Sequence, residues 1–195
     1  EAYGTEFKCY LEHDSAWQLL IATILSAQCT DARVNIVTKE LFVKYPGVEY
    51  FAKAELKELE DDIKPAGFQH NKAKNIIACC QKLVSDYDGK VPRTLEELTS
   101  LPGVGRKTCN VILSNCFDTP AFAVDTHVFR LANRIGFTKA ENVLDTELQL
   151  QKAIPYELWT KMHHALIWHG RKVCTARNPK CDECCLNGIC KKNGL

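Results

Sequence analysis

The sequence predicts an all-α protein. Apolar residues recur at three- and four-residue spacing through most of the 195-residue chain, and alternating strand patterns are essentially absent. Clusters of Pro, Gly and Asp cut the helical stretches into pieces of ordinary length. An apolar fraction of 46% with three Trp and eight Phe is ample for a packed core and excludes a disordered chain. Seven Pro and ten Gly exclude a fibrous or linker-dominated one. No apolar run approaches the ~18 residues of a membrane span, and no internal repeat is visible. Opening at Glu1 without a signal-like segment, the chain is expected to be cytoplasmic, with no membrane partner.

Taken in order, Trp17, Leu20, Ile21, Ile24 and Leu25 make the first helical stripe, behind a Ser15-x-x-Gln18 capping box. Val34, Val37, Leu41 and Tyr45 make the second, ended by Pro46-Gly47. Leu56, Leu59 and Ile63 give a short third helix, stopped at Pro65 and Gly67. The clearest stripe follows: Ala73, Ile76, Ile77, Cys80, Leu83, Val84 and Tyr87. Thr94 with Glu97 is a second capping box and opens a short helix to about Ser100. Helices over 106–116, 125–135, 142–153 and 155–169 complete the series. Charge and composition both change at Asp118-Thr119-Pro120, which marks the boundary between lobes.

The net charge of +1 gives no argument for a polyanionic partner, but its distribution does. Residues 1–62 carry 6 basic and 12 acidic groups, 63–117 carry 8 and 4, and 171–195 carry 6 and 2. Two basic segments on a neutral protein suit a local anionic ligand. Solvated helix faces are the competing reading for the middle segment.

Leu101-Pro102-Gly103-Val104-Gly105-Arg106-Lys107-Thr108 lies between two helices. Two glycines one residue apart allow a tight hairpin with backbone N–H groups turned outward together. The positive end of the next helix completes a seat for phosphate. A nucleotide-binding P-loop fails on spacing, because Arg106 intervenes before Lys107, Ser100 stands where the first Gly belongs, and no strand precedes. A turn with glycines for geometry alone is the rival reading.

Eleven Cys is an odd and high number. Cys9, Cys29, Cys79, Cys80, Cys109 and Cys116 are scattered, several on apolar helix faces where a thiol is a small hydrophobe. The others crowd the last 22 residues as Cys174-x6-Cys181-x2-Cys184-x5-Cys190, with Cys185 alongside. A chain of this size does not need disulfides to fold, so the crowded set reads as a metal site. The spacing lacks the paired knuckles usual for zinc and the Cys-Pro ending of bacterial ferredoxins. Four thiolates within 17 residues can hold a [4Fe–4S] cluster. The spacing favours Cys184 over Cys185, and a register through Cys185 stays open for a tetrahedral metal. Arg171, Lys172, Arg177, Lys180, Lys191 and Lys192 would offset the thiolate charge and face phosphates.

The hairpin, then Ala123-Val124-Asp125-Thr126-His127-Val128-Phe129-Arg130, then the Cys run, resemble the endonuclease III family of helix-hairpin-helix DNA glycosylases. Ile24-Leu25-Ser26-Ala27-Gln28-Cys29-Thr30-Asp31 and Gly67-Phe68-Gln69-His70-Asn71-Lys72-Ala73 are similar to that family's loops, so the resemblance runs from about Trp17 to Cys190. It implies two lobes with a cleft between them. One is a six-helix barrel domain over 9–119 carrying the hairpin; the other is an iron–sulfur domain built from both termini, 1–8 plus 120–195. It implies a monomeric, nucleoid-associated, bifunctional glycosylase and abasic-site lyase acting on oxidised pyrimidines or abasic sites in double-stranded DNA. A mismatch-specific glycosylase of the same superfamily and a non-catalytic iron–sulfur DNA-binding module are the alternatives.

By the same resemblance Lys107 is the nucleophile and Asp125 the catalytic carboxylate. Cys174, Cys181, Cys184 and Cys190 hold the cluster. Gly103, Val104, Gly105 and Arg106 of the hairpin, with Arg177 and Lys180 of the cluster loop, would hold phosphates. Gln28 and Phe68 map to the loops inserted into DNA, and Asp31 and His127 to the base pocket. The residue types suit the chemistry. An amine can displace the base at C1′ and then form a Schiff base that makes the neighbouring proton acidic enough for β-elimination. Placement in the first turn of a helix, beside Arg106, sets positive charge against the Lys107 ammonium. Asp125 also has a sufficient structural reason as a helix cap. Flipping the target base costs a few kcal/mol of unstacking, which a hydrogen-bonding Gln28 and a wedging Phe68 would partly recover. Two departures from the family's pattern stand out: Cys29 replaces a small residue, and Phe68-Gln69-His70 replaces a Leu-Tyr-Asn type of loop. His163, His164 and His169 share a helix with Trp159, Met162 and Leu166 and read as packing or neighbouring residues.

Overall fold

In the computed structural model, which describes residues 9–195, the chain is helical with no strand among the described residues. The all-α reading therefore holds. Two compact units divide between Asp118 and Thr119. Residues 1–8, expected from the sequence to join the second unit, lie outside the described residues.

The first unit is organised around helix α1 (Ala16–Leu25), which is apolar on nearly every face and buries Leu19, Leu20, Ile21, Ala22, Ile24 and Leu25. A helix that is apolar all round can only be stable inside, where each buried Leu or Ile contributes about 1.5–3 kcal/mol over its exposed state. Around it lie α2 (Asp31–Lys44), α3 (Val48–Ala52), α4 (Leu56–Ile63), α5 (Gln69–Tyr87), α6 (Leu95–Thr99) and α7 (Arg106–Cys116). Their apolar stripes supply Val34, Leu41, Phe51, Leu59, Ile76, Leu83 and Ile112 to one core. Trp17 meets Phe42 edge-on at 5.2 Å, and Tyr45 stacks on Phe51 at 4.8 Å, fixing α1, α2 and α3 together.

Local signals mostly decide the helix ends. Thr94 accepts from the Glu97 N–H at 3.3 Å, the predicted cap of α6. The Ser15–Gln18 box forms differently. Gln18 Oε1 accepts from the Asp14 N–H at 2.6 Å, one residue beyond the helix cap, and Ser15 makes no side-chain cap bond. Helix α3 escapes the periodicity because five residues hold barely one turn. Helix α5 begins four residues before its apolar stripe, since Phe68 adopts a left-handed conformation (φ 51°) and starts the helix behind a polar first turn.

The second unit packs α8 (Thr126–Ile135) on α10 (Trp159–Lys172), with α9 (Val143–Ala153) against α8. Phe122, Val128, Leu131, Ala132, Leu150 and Leu166 form its core. The last helix starts at Trp159 rather than at Pro155, because a 3-10 turn over Tyr156–Leu158 precedes it. The C-terminal loop is clamped to the end of α8: the Lys191 and Asn193 N–H groups donate to Ile135 and Arg134 carbonyls, each at 3.1 Å. These carbonyls have no partner within the helix, so the loop satisfies them.

Candidate functional site

Four groups of sequence-predicted residues have distinct local geometry. The hairpin between α6 and α7 closes with a Val104 N–H to Leu101 carbonyl bond of 3.1 Å. Gly103 has φ 77°, and a Cβ there would meet Asn75 Cβ of α5 at 2.9 Å, so glycine is required for both conformation and space. Val104 and Leu101 are buried and anchor the turn, while Gly105, Arg106 and Lys107 are exposed. The first helical bond of α7 runs from the Cys109 N–H to the Gly105 carbonyl at 3.0 Å. The N–H groups of the first turn, ahead of that bond, stand at the positive end of the helix. Such an arrangement can seat an anion, and the exposed Lys107 belongs to the same turn.

The second group follows α1 and precedes α5. Gln28 (φ 54°) and Phe68 (φ 51°) are both exposed and both left-handed, a conformation costing a non-glycine residue about 1–2 kcal/mol. Phe68 is 61% exposed, which removes the core role that an aromatic residue ordinarily has. Asp31 opens α2 behind the Thr30 cap.

In the second unit Asp125 caps α8. Its Oδ1 accepts from both the His127 and Val128 N–H groups at 2.8 Å, which fixes the carboxylate and leaves Oδ2 outside the cap. His127 is half-buried. Its ring lies 3.3 Å from Arg130 Nη2 and against the Gly170 backbone, and burial pushes its pKa down.

Cys174, Cys181, Cys184 and Cys190 line one pocket with Arg134, His169 and Leu186, whereas Cys185 is exposed and outside it. Arg134 Nη1 donates to Cys174 Sγ, the Leu186 N–H to Cys184 Sγ and the Lys192 N–H to Cys190 Sγ, all at 3.4 Å. His169 Nε2 lies 3.5 Å from Cys184 Sγ. Burial pushes the Cys184 thiol up and His169 down. Among the described residues no three His, Cys, Asp or Glu side chains converge where a single ion would sit. The four cysteines line one hollow, and one guanidinium and two backbone N–H groups donate to three of the sulfurs, surroundings that suit thiolates held by a metal cluster. Arg177 and Lys180 stand exposed on the same loop.

Sequence reasoning missed two residues here. Arg134 reads as a surface helix residue, yet it is 6% exposed and also donates to the Thr175 and Ala176 carbonyls at 3.0 and 3.4 Å. Lys72 is 5% exposed and holds two carbonyls between the Gln28 and Phe68 loops. A lone cation on the apolar side of a helical stripe was the signal available for each.

Known proteins similar to this chain fall in one superfamily. Residues 21–156 match the model of the HhH-GPD superfamily base excision DNA repair protein. Residues 174–190 match the iron–sulfur binding domain of endonuclease III. The chain is 47% identical to the endonuclease III of Bacillus subtilis (strain 168), over 95% of this chain and 85% of that one. It is 49% identical to that of Synechocystis, over 93% and 84%. Among solved structures, a trapped endonuclease III–DNA covalent intermediate is 48% identical with a TM-score of 0.91, covering 96% of this chain and 88% of the other. A thermostable thymine-DNA glycosylase is 26% identical with a TM-score of 0.86, covering 94% and 86%.

Proposed function

The chain belongs to the endonuclease III family within the HhH-GPD superfamily of base excision DNA repair proteins, and from that premise we propose which residues carry its chemistry and which lesions it removes. It is a DNA glycosylase and abasic-site lyase with an iron–sulfur cluster, and DNA is its partner. Its substrates are oxidised pyrimidines and abasic sites in duplex DNA, on which it acts as a nucleoid-associated monomer.

Lys107 is the nucleophile. Its neutral amine attacks C1′, the glycosidic bond breaks, and the base leaves with the bonding pair and takes a proton. Ring opening gives a Schiff base, loss of the C2′ proton follows, and the 3′ phosphate oxygen departs. Asp125, with Oδ1 held by the helix cap, offers Oδ2 to receive the amine's proton and to face the developing positive charge on the sugar. The hairpin amides and Arg106 take phosphate, and so do Arg177 and Lys180 of the C-terminal loop. Gln28 and Phe68 enter the duplex. Asp31 and His127 are the candidates for recognising the flipped base.

Cys174, Cys181, Cys184 and Cys190 would hold a [4Fe–4S] cluster, and ligating it would tie the loop together. The observation that carries the functional reading is the exposed Lys107 in the first turn of a helix that begins at a phosphate-seating hairpin. Borohydride reduction on abasic duplex DNA tests it: the wild-type chain should be trapped covalently and Lys107→Gln should not. Similarity to a thymine-DNA glycosylase supports mismatch excision as a second reading, and release of thymine from a G·T duplex in preference to an oxidised pyrimidine would favour it.

A further inference from the structure

Lys72 is a buried cation that the chemistry above does not use. Only 5% of it is exposed, and it forms no ion pair with a carboxylate among the described residues. A buried ammonium is costly unless its hydrogen bonds are met. Here Nζ donates to the Leu25 carbonyl and to the Ala66 carbonyl, each at 2.8 Å. Leu25 is the last residue of α1, three positions before Gln28. Ala66 ends the 3-10 turn over Lys64–Ala66, two positions before Phe68. The Lys72 backbone N–H, in addition, donates to the Phe68 carbonyl at 3.1 Å, the first hydrogen bond of α5. One residue therefore holds the ends of both exposed left-handed loops.

We propose that Lys72 is a positioning residue that locks the Gln28 and Phe68 loops into a single, pre-set wedge for damaged DNA. This rests on the reading of Gln28 and Phe68 as inserted residues. The two helical segments end with carbonyls that need donors, and an ammonium meets both at the negative end of α1. Methionine could fill the same space, but it would leave the two carbonyls unmet and the two segments untied. Insertion gains from a wedge that is already ordered, because ordering at the moment of binding subtracts from affinity. Contacts to undamaged duplex, made by hairpin amides and basic side chains, do not pass through Lys72.

The test compares full-length holoenzymes on two probes, a duplex with a tetrahydrofuran abasic analogue opposite 2-aminopurine and the same duplex undamaged. Lys72→Met should bind undamaged duplex within about twofold of wild type and keep the cluster's visible absorption. Its preference for the abasic duplex should fall about tenfold (about 1.4 kcal/mol). The 2-aminopurine signal of the estranged base should fall with it, and Lys72→Arg should restore most of both. A purely structural role would lower stability and affinity for both probes alike, leaving the preference intact, and that outcome overturns the proposal. Should Lys72→Met fail to fold, Lys72→Gln, which keeps a neutral donor of shorter reach, decides by the same ratio. Gln28→Ala and Phe68→Ala separate the two levels. Wild-type preference in both refutes the insertion reading and this inference with it. Loss in those two but not at Lys72 refutes this inference alone. In a Gln28→Ala/Phe68→Ala background, Lys72→Met should cause no further loss of preference.

Discussion

Replacing Asp125 by Asn and by Ala should separate the two tasks of this carboxylate. Oδ1 accepts two helix N–H groups at 2.8 Å, so Asp125→Ala removes both bonds and leaves the first turn of α8 uncapped. Loss of such a cap costs about 1 kcal/mol, with an upper end near 2. For a chain of this length that lowers Tm by roughly 2–4 °C per kcal/mol. Asparagine presents an amide oxygen in the same place and is as good a cap, so Asp125→Asn should melt within about 1 °C of wild type on the same reasoning. Base release should behave differently. An amide cannot receive a proton from the Lys107 ammonium or balance positive charge on the sugar, so both variants should lose about 10²–10⁴-fold in single-turnover base excision. A pre-formed abasic site should remain partly cleavable by Asp125→Asn, since elimination from an opened sugar depends more on the amine. Thermal melts followed by circular dichroism, with gel-resolved single-turnover cleavage, read both quantities. An Asn variant that melts as low as the Ala variant would refute the capping account. An Asn variant with wild-type base release would remove Asp125 from the chemistry.

Lys107→Gln should retain fold, cluster absorption and DNA affinity while losing base release, strand cleavage and borohydride trapping; residual trapping would assign the nucleophile elsewhere. Cys181→Ser should lose iron, loosen the C-terminal loop and weaken DNA binding, whereas Cys185→Ser, at an exposed position outside the four-sulfur pocket, should keep its iron and sulfide content. Iron and sulfide analysis of the two proteins distinguishes these outcomes, and stoichiometric zinc in the wild type would overturn the cluster ligand set. Binding should weaken steeply with salt, and Arg177→Ala or Lys180→Ala should reduce the slope of log K against log [salt] by about 0.9 for each phosphate no longer neutralised. Titrations at several salt concentrations on two unrelated sequences check that the weakening is uniform; an unchanged slope would place these side chains away from phosphate.

The hairpin and the cysteine run were legible because each is local. Leu101 to Lys107 and Cys174 to Cys190 are short stretches whose residue order itself dictates turn geometry and donor set. The apolar stripes of α1, α2 and α4 were legible for the same reason, since helical period is written within two turns. By itself, then, the sequence determined the all-α class, the hairpin turn at the start of α7 and the crowding of cysteines in the last loop.

The tertiary structure decided what depends on distant partners. Helix α5 starts early because a left-handed Phe68, a backbone state that no periodicity records, redirects the chain. Arg134 reaches Cys174 across 40 positions, and Lys72 reaches Leu25 across 47. In sequence each is an ordinary cation on a helix. Buried, each is held only where particular acceptors meet it, a sulfur and two carbonyls for Arg134 and two carbonyls for Lys72. A charge stays inside a protein only when its hydrogen bonds are satisfied there, and that satisfaction exists only once the chain has folded.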